Sequence, residues 1–302
     1  MDNELLIKKF TILKDYYSNE NDKFRSLTYS RAIQIIKNLP KITSIEQVKN
    51  IKGFGKTLTG QLQEFLNTGE IEKVKSIIGK MNKKHPFEKI FGIGPVKSKY
   101  LQNLGINTIS ELKAHKSILT RQQQIGLKYY YELLEKIPRI KIQVLEIIIR
   151  YVIKKELGKN YKMDIAGSYR RGEKFSGDID IIITSKNFSL NDLVKTLEKY
   201  SIITDILSMK QTKFMGIVTC PGQSMQHYRL DIEFLPKEEY ITGLLYFTGS
   251  KLTNIFMRYE AKKLGYLLNE HGLFKDGKRI SVKNEKDIFS KLNLAYIKPE
   301  KR

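Results

Sequence analysis

The spacing of apolar residues changes along this chain, and the change limits the folds open to it. Up to about residue 157, apolar side chains recur at helical intervals, most strongly in the segment 141–157. Beyond it they alternate, as strands with one buried face require. The candidate strands are Met163–Ala166, Asp178–Ile183, Lys213–Thr219 and Tyr228–Phe234. From Gly249 a helical pattern returns. The sequence therefore predicts an α+β fold with a helical first part, a central sheet and a mixed C-terminal part.

Two short glycine turns interrupt the helical part, about forty residues apart. They are Ile51-Lys52-Gly53-Phe54-Gly55 and Ile90-Phe91-Gly92-Ile93-Gly94. Such a helix–hairpin–helix turn brings backbone N–H groups close to a phosphate, which a Cβ atom would obstruct. Either turn alone also fits an ordinary connector with a glycine cap, but the repeat favours a nucleic-acid contact. The predicted DNA-binding residues are Gly53, Gly55 and Lys56 in the first turn and Gly92, Gly94 and Lys97 in the second.

Three aspartates on two candidate strands form the most informative pattern. Asp178 and Asp180 alternate with apolar residues and therefore point to one face of a strand. Asp231 has the same alternation on a later strand, with Arg229 on its face. Crowded carboxylates repel one another unless a cation lies between them. Three of them suffice for two Mg²⁺ ions in phosphoryl transfer, although a lone Asp-x-Asp is more often a solvated strand surface.

A glycine–serine turn with two arginines directly precedes the first aspartate pair, in the segment 167–177. Hydroxyl, guanidinium and backbone N–H groups are the donors that bind phosphate groups in proteins. The residues predicted to hold a triphosphate are Ser168, Arg171, Ser176 and Gly177. Carboxylates for metal ions and donors for phosphates lie within a few positions of each other, which indicates nucleotidyl transfer.

The net charge and the cysteine content indicate which kind of partner the protein binds and in which kind of compartment it occurs. The 302 residues include 54 Lys and Arg against 32 Asp and Glu, a net charge of +22 that favours a polyanionic partner. An AT-rich genome, which raises the lysine count, is the alternative explanation. The single cysteine, Cys220, cannot form an intrachain disulfide, which favours a reducing intracellular compartment. No apolar run is long enough to span a membrane, and four scattered histidines do not form a zinc site.

Seven motifs between about Phe24 and Glu270 together resemble a family X DNA polymerase of the β type. The motifs are FGIGP at 91–95, QQQIGLKYY at 122–130, GSYRRG at 167–172, SGDIDIIIT at 176–184, TKFMG at 212–216, LDIEFLP at 230–236 and YFTGS at 246–250. The resemblance implies a hand-shaped nucleotidyltransferase. Its expected parts are a helical DNA-end-binding, lyase-like domain (1–80), a helical DNA-binding subdomain (81–140), a catalytic palm (141–248) and a nucleotide-selection subdomain (249–302).

The resemblance also assigns roles to individual residues. Asp178 and Asp180 would bind both metal ions, and Asp231 would bind the catalytic ion and accept the primer hydroxyl proton, with Arg229 beside it. Tyr246, Phe247 and Gly249 would contact the sugar, Asn254 the incoming base and Arg258 the template side, with Glu270 supporting the closed state. Lys251 departs from the family, which usually has an aspartate over the incoming nucleotide. The implied cofactors are two Mg²⁺ ions, for which Mn²⁺ can substitute. A Na⁺ or K⁺ ion would also be held at each glycine turn, by backbone carbonyls near Phe54 in the first and near Ile90 and Ile93 in the second.

The first 80 residues depart from the family at one important position. Gln61 stands where the family has the lysine that forms a Schiff base in 5′-deoxyribose-phosphate lyases. An amide cannot form an imine, so we expect lyase activity to be absent unless Lys56 or another lysine substitutes. Tyr29 and Arg25 still fit the phosphate-binding side of that domain, so the sequence predicts that the 5′ end is bound without chemistry.

These observations predict a monomeric, template-directed DNA polymerase that fills short gaps in base excision repair. The short 215–229 hairpin and the lack of a BRCT-like segment before residue 1 favour template-directed synthesis. The expected ligands are gapped or nicked duplex DNA and dNTPs, the expected protein partners a DNA ligase or an AP endonuclease, and the expected location the nucleus or a viral replication site. The alternatives are a catalytically weak gapped-DNA end-binding factor, a nucleotidyltransferase acting on RNA, and a bifunctional polymerase–lyase.

Overall fold

The computed structural model of the protein describes residues 3–20, 22–81, 85–221 and 226–302. The chain divides into two compact units, Met1–His85 and Pro86–Arg302, called here the first and the second unit. The division lies within the segment 80–86, and residues 82–84 of that segment lie outside the described residues. Residues 222–225 of the 215–229 hairpin also lie outside them.

The first unit is helical. Its helices are α1 (Asn3–Asn19), α2 (Lys23–Lys37), α3 (Glu46–Lys49), α4 (Lys56–Thr68) and α5 (Glu72–Met81). Their apolar faces form one core in which Phe10, Leu13 and Leu62 are fully buried. Helix α4 starts directly after Gly55 and ends at Gly69, whose φ of +73° is the left-handed conformation that stops a helix.

Four short helices open the second unit. They are α6 (Pro95–Asn103), α7 (Ile109–Ala114), α8 (Arg121–Lys128) and α9 (Tyr130–Leu134). Helices α7 and α8 begin with reciprocal hydrogen bonds between a threonine and the residue three positions later, Thr108 with Glu111 and Thr120 with Gln123. These capping boxes satisfy N–H groups that have no partner inside the helix. They explain why such short helices start at these residues.

A five-stranded mixed sheet forms the centre of the second unit. The elements in this part are β1 (Ile137–Pro138), α10 (Arg139–Glu156), β2 (Tyr161–Ile165), α11 (Gly167–Arg170), β3 (Phe175–Ser176), β4 (Ile179–Ser185), α12 (Leu190–Lys199), β5 (Ile203–Met209), β6 (Lys213–Thr219) and β7 (His227–Phe234). The strand order in the large sheet is β2-β4-β7-β6-β5, and only β4 and β7 are parallel. Residues of α10 and α12 share one core with the sheet, among them Leu145 and Leu197.

The four predicted strands are present, and the sequence prediction missed the edge strand β5. Register shifts interrupt its pairing with β6 at Ile203–Asp205 and at Ile206–Ser208. These irregularities break the strict alternation of apolar residues by which a strand is recognised in a sequence.

The C-terminal part packs helices against a small antiparallel sheet. Its elements are α13 (Tyr240–Thr248), α14 (Lys251–Lys263), β8 (Tyr266–Leu268), β9 (Leu273–Lys275), β10 (Lys278–Ile280) and α15 (Glu285–Lys291). Met257, Ile288 and Phe289 are fully buried in its core. Helices and mixed sheets in one chain confirm the predicted α+β fold. Within the described ranges, no helix is both long enough and apolar enough to cross a membrane.

Candidate active site

The parallel pairing of β4 and β7 brings the three aspartates together. Its register sets Asp180 directly opposite Asp231, and Asp178 immediately precedes β4. One carboxylate oxygen of each residue lies within 4.8 Å of the others. The apolar neighbours Ile179, Ile181, Leu230 and Ile232 are buried, as the alternation predicted. The cluster therefore follows directly from strand register.

Burial and mutual repulsion raise the proton affinity of this cluster. Burial, with the charge of Asp231 as the next cause, raises the pKa of Asp180 to about 6. Burial also raises the pKa of Asp231, despite the nearby Arg229 and Lys213. Arg229 forms an ion pair with Asp178, and its Nε lies 3.4 Å from Asp231 Oδ1. The basic groups beside the cluster thus compensate its negative charge only in part.

Two features show that these residues fit a divalent metal ion. Asp231 Oδ1 is buried and accepts no hydrogen bond among the described residues. Gly167 lets the Asp180 carboxylate lie directly against the backbone of α11, because a Cβ atom there would overlap Asp180 Oδ2. Carboxylate oxygens are the ligands that hard divalent cations prefer. A carboxylate cluster whose charge is compensated only in part, with a buried oxygen that accepts no hydrogen bond among the described residues, therefore suits such an ion.

The glycine–serine turn lies against this cluster. Ser168 on α11 donates a hydrogen bond to the buried Ser176, with 2.9 Å between the hydroxyl oxygens. Arg171 Nη1 donates to the carbonyl oxygen of Thr248 at 2.6 Å, and burial lowers the pKa of this guanidinium. Lys136 Nζ lies 3.5 Å from the position that a Cβ atom on Gly177 would occupy. Hydroxyl, guanidinium and ammonium groups, which are of the kind that bind phosphate, thus lie together in and around this turn.

The residues predicted to select the nucleotide form a second connected group. Asn254 Nδ2 donates to the carbonyl oxygen of Tyr246 at 2.7 Å. The Arg258 guanidinium lies 4.9 Å from the centre of the Tyr246 ring and 3.1 Å from Glu270 Oε2. The rings of Tyr246 and Phe247 meet edge to face, 5.0 Å apart. Gly249 follows at the end of α13, joined to Ser250 by a cis peptide bond, and Lys251 begins α14.

The two glycine turns have the same local backbone. The first glycine of each has a positive φ, +103° at Gly53 and +80° at Gly92. The second, Gly55 or Gly94, is extended and precedes a helix, and a Cβ atom on either would meet nothing within 4 Å. Each turn therefore exposes a helix N-terminus with open space beside it. Lys56 begins the helix after the first turn, whereas Lys97 Nζ donates to the carbonyl oxygen of Ile118 at 3.2 Å.

The side chain of Gln61 in the first unit is hydrogen-bonded to a tyrosine. Tyr29 donates its hydroxyl to Gln61 Oε1 at 3.0 Å, and burial raises the pKa of Tyr29. Tyr17 stacks on Tyr29 at 5.7 Å, and the Arg25 guanidinium lies 5.2 Å from the centre of the Tyr17 ring. Tyr29, Gln61 and Arg25 thus belong to one local group that includes no lysine hydrogen-bonded to Gln61 among the described residues.

Four domain families match successive parts of the chain. They are a helix-hairpin-helix domain (1–71), the fingers domain of DNA polymerase lambda (85–134), the DNA polymerase beta palm (136–237) and the DNA polymerase beta thumb (243–302). The palm match contains all three aspartates at the parallel strand pair. The chain belongs to the family X DNA polymerases.

Curated relatives agree with this family X assignment. DNA polymerase lambda of Rattus norvegicus is 30% identical over 98% of this chain, and that of Arabidopsis thaliana 29% identical over 99%. DNA nucleotidylexotransferase of Xenopus laevis is 26% identical over 99%. The chain spans 56%, 62% and 68% of the length of these three proteins. Membership of this family implies the use of divalent metal ions, in agreement with the aspartate cluster.

Several residues beside the site have no role that the sequence predicts. Lys136 lies in none of the motifs, whereas Lys213 and Glu233 lie within the TKFMG and LDIEFLP motifs. Lys213 forms an ion pair with Glu233, which raises the pKa of the lysine despite the opposing effect of its burial. Arg170 is one of the two arginines of the glycine–serine turn, but its partner was not predicted: it binds both carboxylate oxygens of Glu285, at 2.9 and 2.8 Å, and thereby joins α11 to α15. Long-range ion pairs of this kind leave no local pattern in a sequence.

Proposed function

We propose that this protein is a template-directed DNA polymerase that fills short gaps during DNA repair. The observation that carries the proposal is the cluster of three carboxylates, within 4.8 Å of one another, beside a turn rich in phosphate-binding groups. That pairing of groups suits the joining of a primer hydroxyl to the α-phosphate of a dNTP, with release of pyrophosphate. Membership of the family X polymerases supports the same reaction.

Asp178, Asp180 and Asp231 would hold two Mg²⁺ ions, which Mn²⁺ can replace. Bound there, the ions would stabilise the charge that develops on the attacking and leaving oxygens. Asp231 would accept the proton of the primer 3′-hydroxyl, because its buried Oδ1 has no other hydrogen-bond donor among the described residues. Arg229, which pairs with Asp178 and lies near Asp231, would keep these carboxylates in place before the substrate arrives.

Ser168, Arg171, Ser176 and Gly177 would bind the triphosphate, and Lys136 adds a cation beside Gly177. Arg171 would have to exchange its bond to the Thr248 carbonyl for a phosphate oxygen. Because Thr248 ends α13, that exchange would couple arrival of the triphosphate to the segment that selects the nucleotide.

Tyr246, Phe247 and Gly249 would contact the sugar and disfavour a ribose 2′-hydroxyl. Asn254 would donate to the minor-groove edge of the incoming base, Arg258 would contact the template side, and Glu270 would hold Arg258 in place. Lys251, at the first position of α14, would bring a positive charge to the incoming nucleotide.

The two glycine turns would bind the DNA backbone through N–H groups, with Lys56 and Lys97 nearby and a Na⁺ or K⁺ ion at each turn. Contacts of this kind are independent of sequence and weaken as salt rises. In the first unit, Tyr29 and Arg25 would bind a 5′-phosphate, but Gln61 cannot form an imine, so the protein would lack lyase activity. It would act as a monomer on gapped or nicked DNA, in the nucleus or at a viral replication site, alongside a DNA ligase or an AP endonuclease.

Primer extension across a one-nucleotide gap with Mg²⁺ tests the proposal. We expect wild-type extension with dNTPs, much weaker extension with NTPs, and a loss of several orders of magnitude in Asp231→Ala. Tight gap binding without wild-type extension would refute the polymerase and favour an end-binding factor. Equal use of NTPs would instead favour a nucleotidyltransferase of different specificity.

A further inference from the structure

Two carboxylates hold helices α8 and α9 against the central sheet of the second unit. Asp205 on β5 accepts hydrogen bonds from Lys128 Nζ at 2.8 Å and from the Tyr129 hydroxyl at 2.6 Å. Glu132 on α9 accepts from both the backbone N–H and ring Nδ1 of His227, each at 2.8 Å. We call these five residues the clamp. One carboxylate, Asp205, lies on the sheet and accepts from the helices. The other, Glu132, lies on a helix and accepts from the sheet.

Tyr129 contacts both halves of the clamp, through its hydroxyl to Asp205 and through its ring to His227, which is bound by Glu132. Tyr129 is almost fully buried, and the centre of its ring lies 4.5 Å from that of the His227 ring. Ile125, Leu207 and Ile217 surround it as buried apolar neighbours from α8, β5 and β6. Polar bonds that flank a packed apolar core fix the direction as well as the strength of a contact. The clamp therefore allows one orientation of α8 and α9 on the sheet.

On its helical side, the clamp is joined to the second glycine turn. Gln123 Nε2 on α8 donates to the carbonyl oxygen of Gly92 at 2.7 Å. A Cβ atom on Gly126 would lie 2.9 Å from the backbone nitrogen of Phe91, so α8 and the turn touch without an intervening side chain. A displacement of α8 would therefore displace the turn as well.

On its other side, the clamp holds the strand that carries Asp231. His227 is the first residue of β7, two positions before Arg229 and four before Asp231. Asp205 lies on β5, which pairs with β6, and β6 pairs with β7. The contacts therefore run without a break from the second glycine turn to the strand with the proposed proton acceptor.

We propose that Asp205 and Glu132 are positioning residues, which fix the DNA held by the second glycine turn relative to the catalytic carboxylates. This inference rests on the proposed polymerase function. Neither residue needs to touch DNA or nucleotide, so their loss should leave binding intact while the primer end is misplaced. Small misplacements of reacting groups are costly, up to about a hundredfold per ångström.

The test is single-turnover extension across a one-nucleotide gap, with gap affinity measured separately. The Asp205→Ala/Glu132→Ala variant removes both carboxylates, and Tyr129→Phe removes only the hydroxyl donated to Asp205. Glu156→Ala is the matched control. Like Asp205, Glu156 accepts from a lysine and from the tyrosine that follows it, Lys199 Nζ at 2.9 Å and the Tyr200 hydroxyl at 2.5 Å. It lies within the part of the chain that matches the palm.

We expect the double variant to extend about tenfold more slowly than Glu156→Ala, with gap affinity within about twofold of wild type. Tyr129→Phe should show a smaller change in the same direction. Gly94→Ala, which has open space for its Cβ, is combined with the double variant. In the Gly94→Ala background the two clamp substitutions should slow extension by a smaller factor than they do in the wild type, since both changes act through the second glycine turn.

Equal rates for the double variant and Glu156→Ala would overturn the inference and leave the polymerase function standing. A loss of gap affinity in proportion to the rate would also overturn it, because the residues would then act through binding. An inactive wild-type protein would refute the proposed function itself, and the positioning inference with it.

Discussion

The two glycine turns have nearly the same backbone, but the structures around them differ. In the first unit, the turn packs near Ile35 of α2, which lies 3.9 Å from the position of a Cβ atom on Gly53. In the second unit, Gln123 bonds to the turn, and the contacts continue to the strand that carries Asp231. The same kind of glycine turn thus occurs once before a helix that carries Gln61 in place of a nucleophile, and once connected through α8 and α9 with the strand that carries Asp231.

The difference separates binding from chemistry. Binding by a glycine turn depends on backbone N–H groups and on free space, which most side-chain substitutions elsewhere leave unchanged. Imine chemistry depends on one amine, and we expect Gln61 in place of a lysine to remove that chemistry from the first unit. We therefore expect both units to bind DNA but only the second to be catalytic.

The largest expected effect is on catalysis in the second unit. Asp180→Asn should lower the rate of gap filling by about three orders of magnitude or more, because the substitution removes a charged metal ligand at constant size. Rapid-quench measurement of nucleotide addition checks this. Asp164→Asn is the control, since Asp164 lies on β2 of the same sheet, outside the aspartate cluster, and accepts a hydrogen bond from the Tyr240 hydroxyl at 2.7 Å. Near-normal rates for Asp180→Asn would place the metal ligands elsewhere.

The second effect is a gain of function in the first unit. Gln61→Lys should give a borohydride-trapped adduct on an incised abasic site, because a lysine beside Tyr29 supplies the amine that an imine requires. The wild-type protein should give none. Gel analysis of the trapped adduct distinguishes the two, with Gln63→Lys as a control on the same helix. Equal trapping by the wild-type protein would show that Lys56 or another lysine acts in place of residue 61.

The third effect is a pH dependence of stability that the carboxylate cluster produces. The folded-state pKa of Asp180, about 6, exceeds the ordinary value of 3.8. The folded protein therefore holds this proton more tightly than the unfolded chain, and the contribution of Asp180 to the free energy of unfolding falls as pH rises from about 4 to about 6. Urea unfolding in EDTA should show Asp180→Asn gaining stability over wild type across this range. A difference that is constant with pH would contradict the raised pKa.

The smallest expected effect compares the turns directly. Gly55→Ala and Gly94→Ala each add a methyl group that meets no protein atom within 4 Å, so both variants should fold normally. Each should weaken the binding of gapped DNA several-fold, because the methyl group keeps the phosphate from the N–H groups. Fluorescence titration at several salt concentrations measures this. Gly60→Ala, which also has open space but lies within α4, should bind like wild type. A loss confined to one turn would show that the two do not share a function.

The sequence was sufficient for the parts of the site that follow from local patterns. Alternation predicted that Asp178, Asp180 and Asp231 face away from buried isoleucines and leucines, and the register of β4 and β7 confirms it. The glycine turns were equally readable, since a positive φ such as that of Gly53 is characteristic of glycine.

What the sequence missed depends on contacts between distant residues. Lys136 meets the turn at Gly177, and Arg170 meets Glu285, 115 positions later. Neither pair has a periodic or adjacent signal, so only folding reveals it. Strand β5 was missed for a different reason, because its two register shifts break the alternation on which recognition depends.

Gly167 is a position at which a single added carbon atom would disrupt the aspartate cluster. Its φ of +56° and its contact with Asp180 leave no room for even the smallest side chain, since a methyl carbon there would stand where the carboxylate oxygen is. Gly167→Ala would therefore displace the Asp180 carboxylate and block the aspartate cluster. It would leave both glycine turns unchanged, because they lie far from residue 167 along the chain. Under the proposed function, such a variant would bind gaps and leave them unfilled, which is the property needed to mark unrepaired DNA.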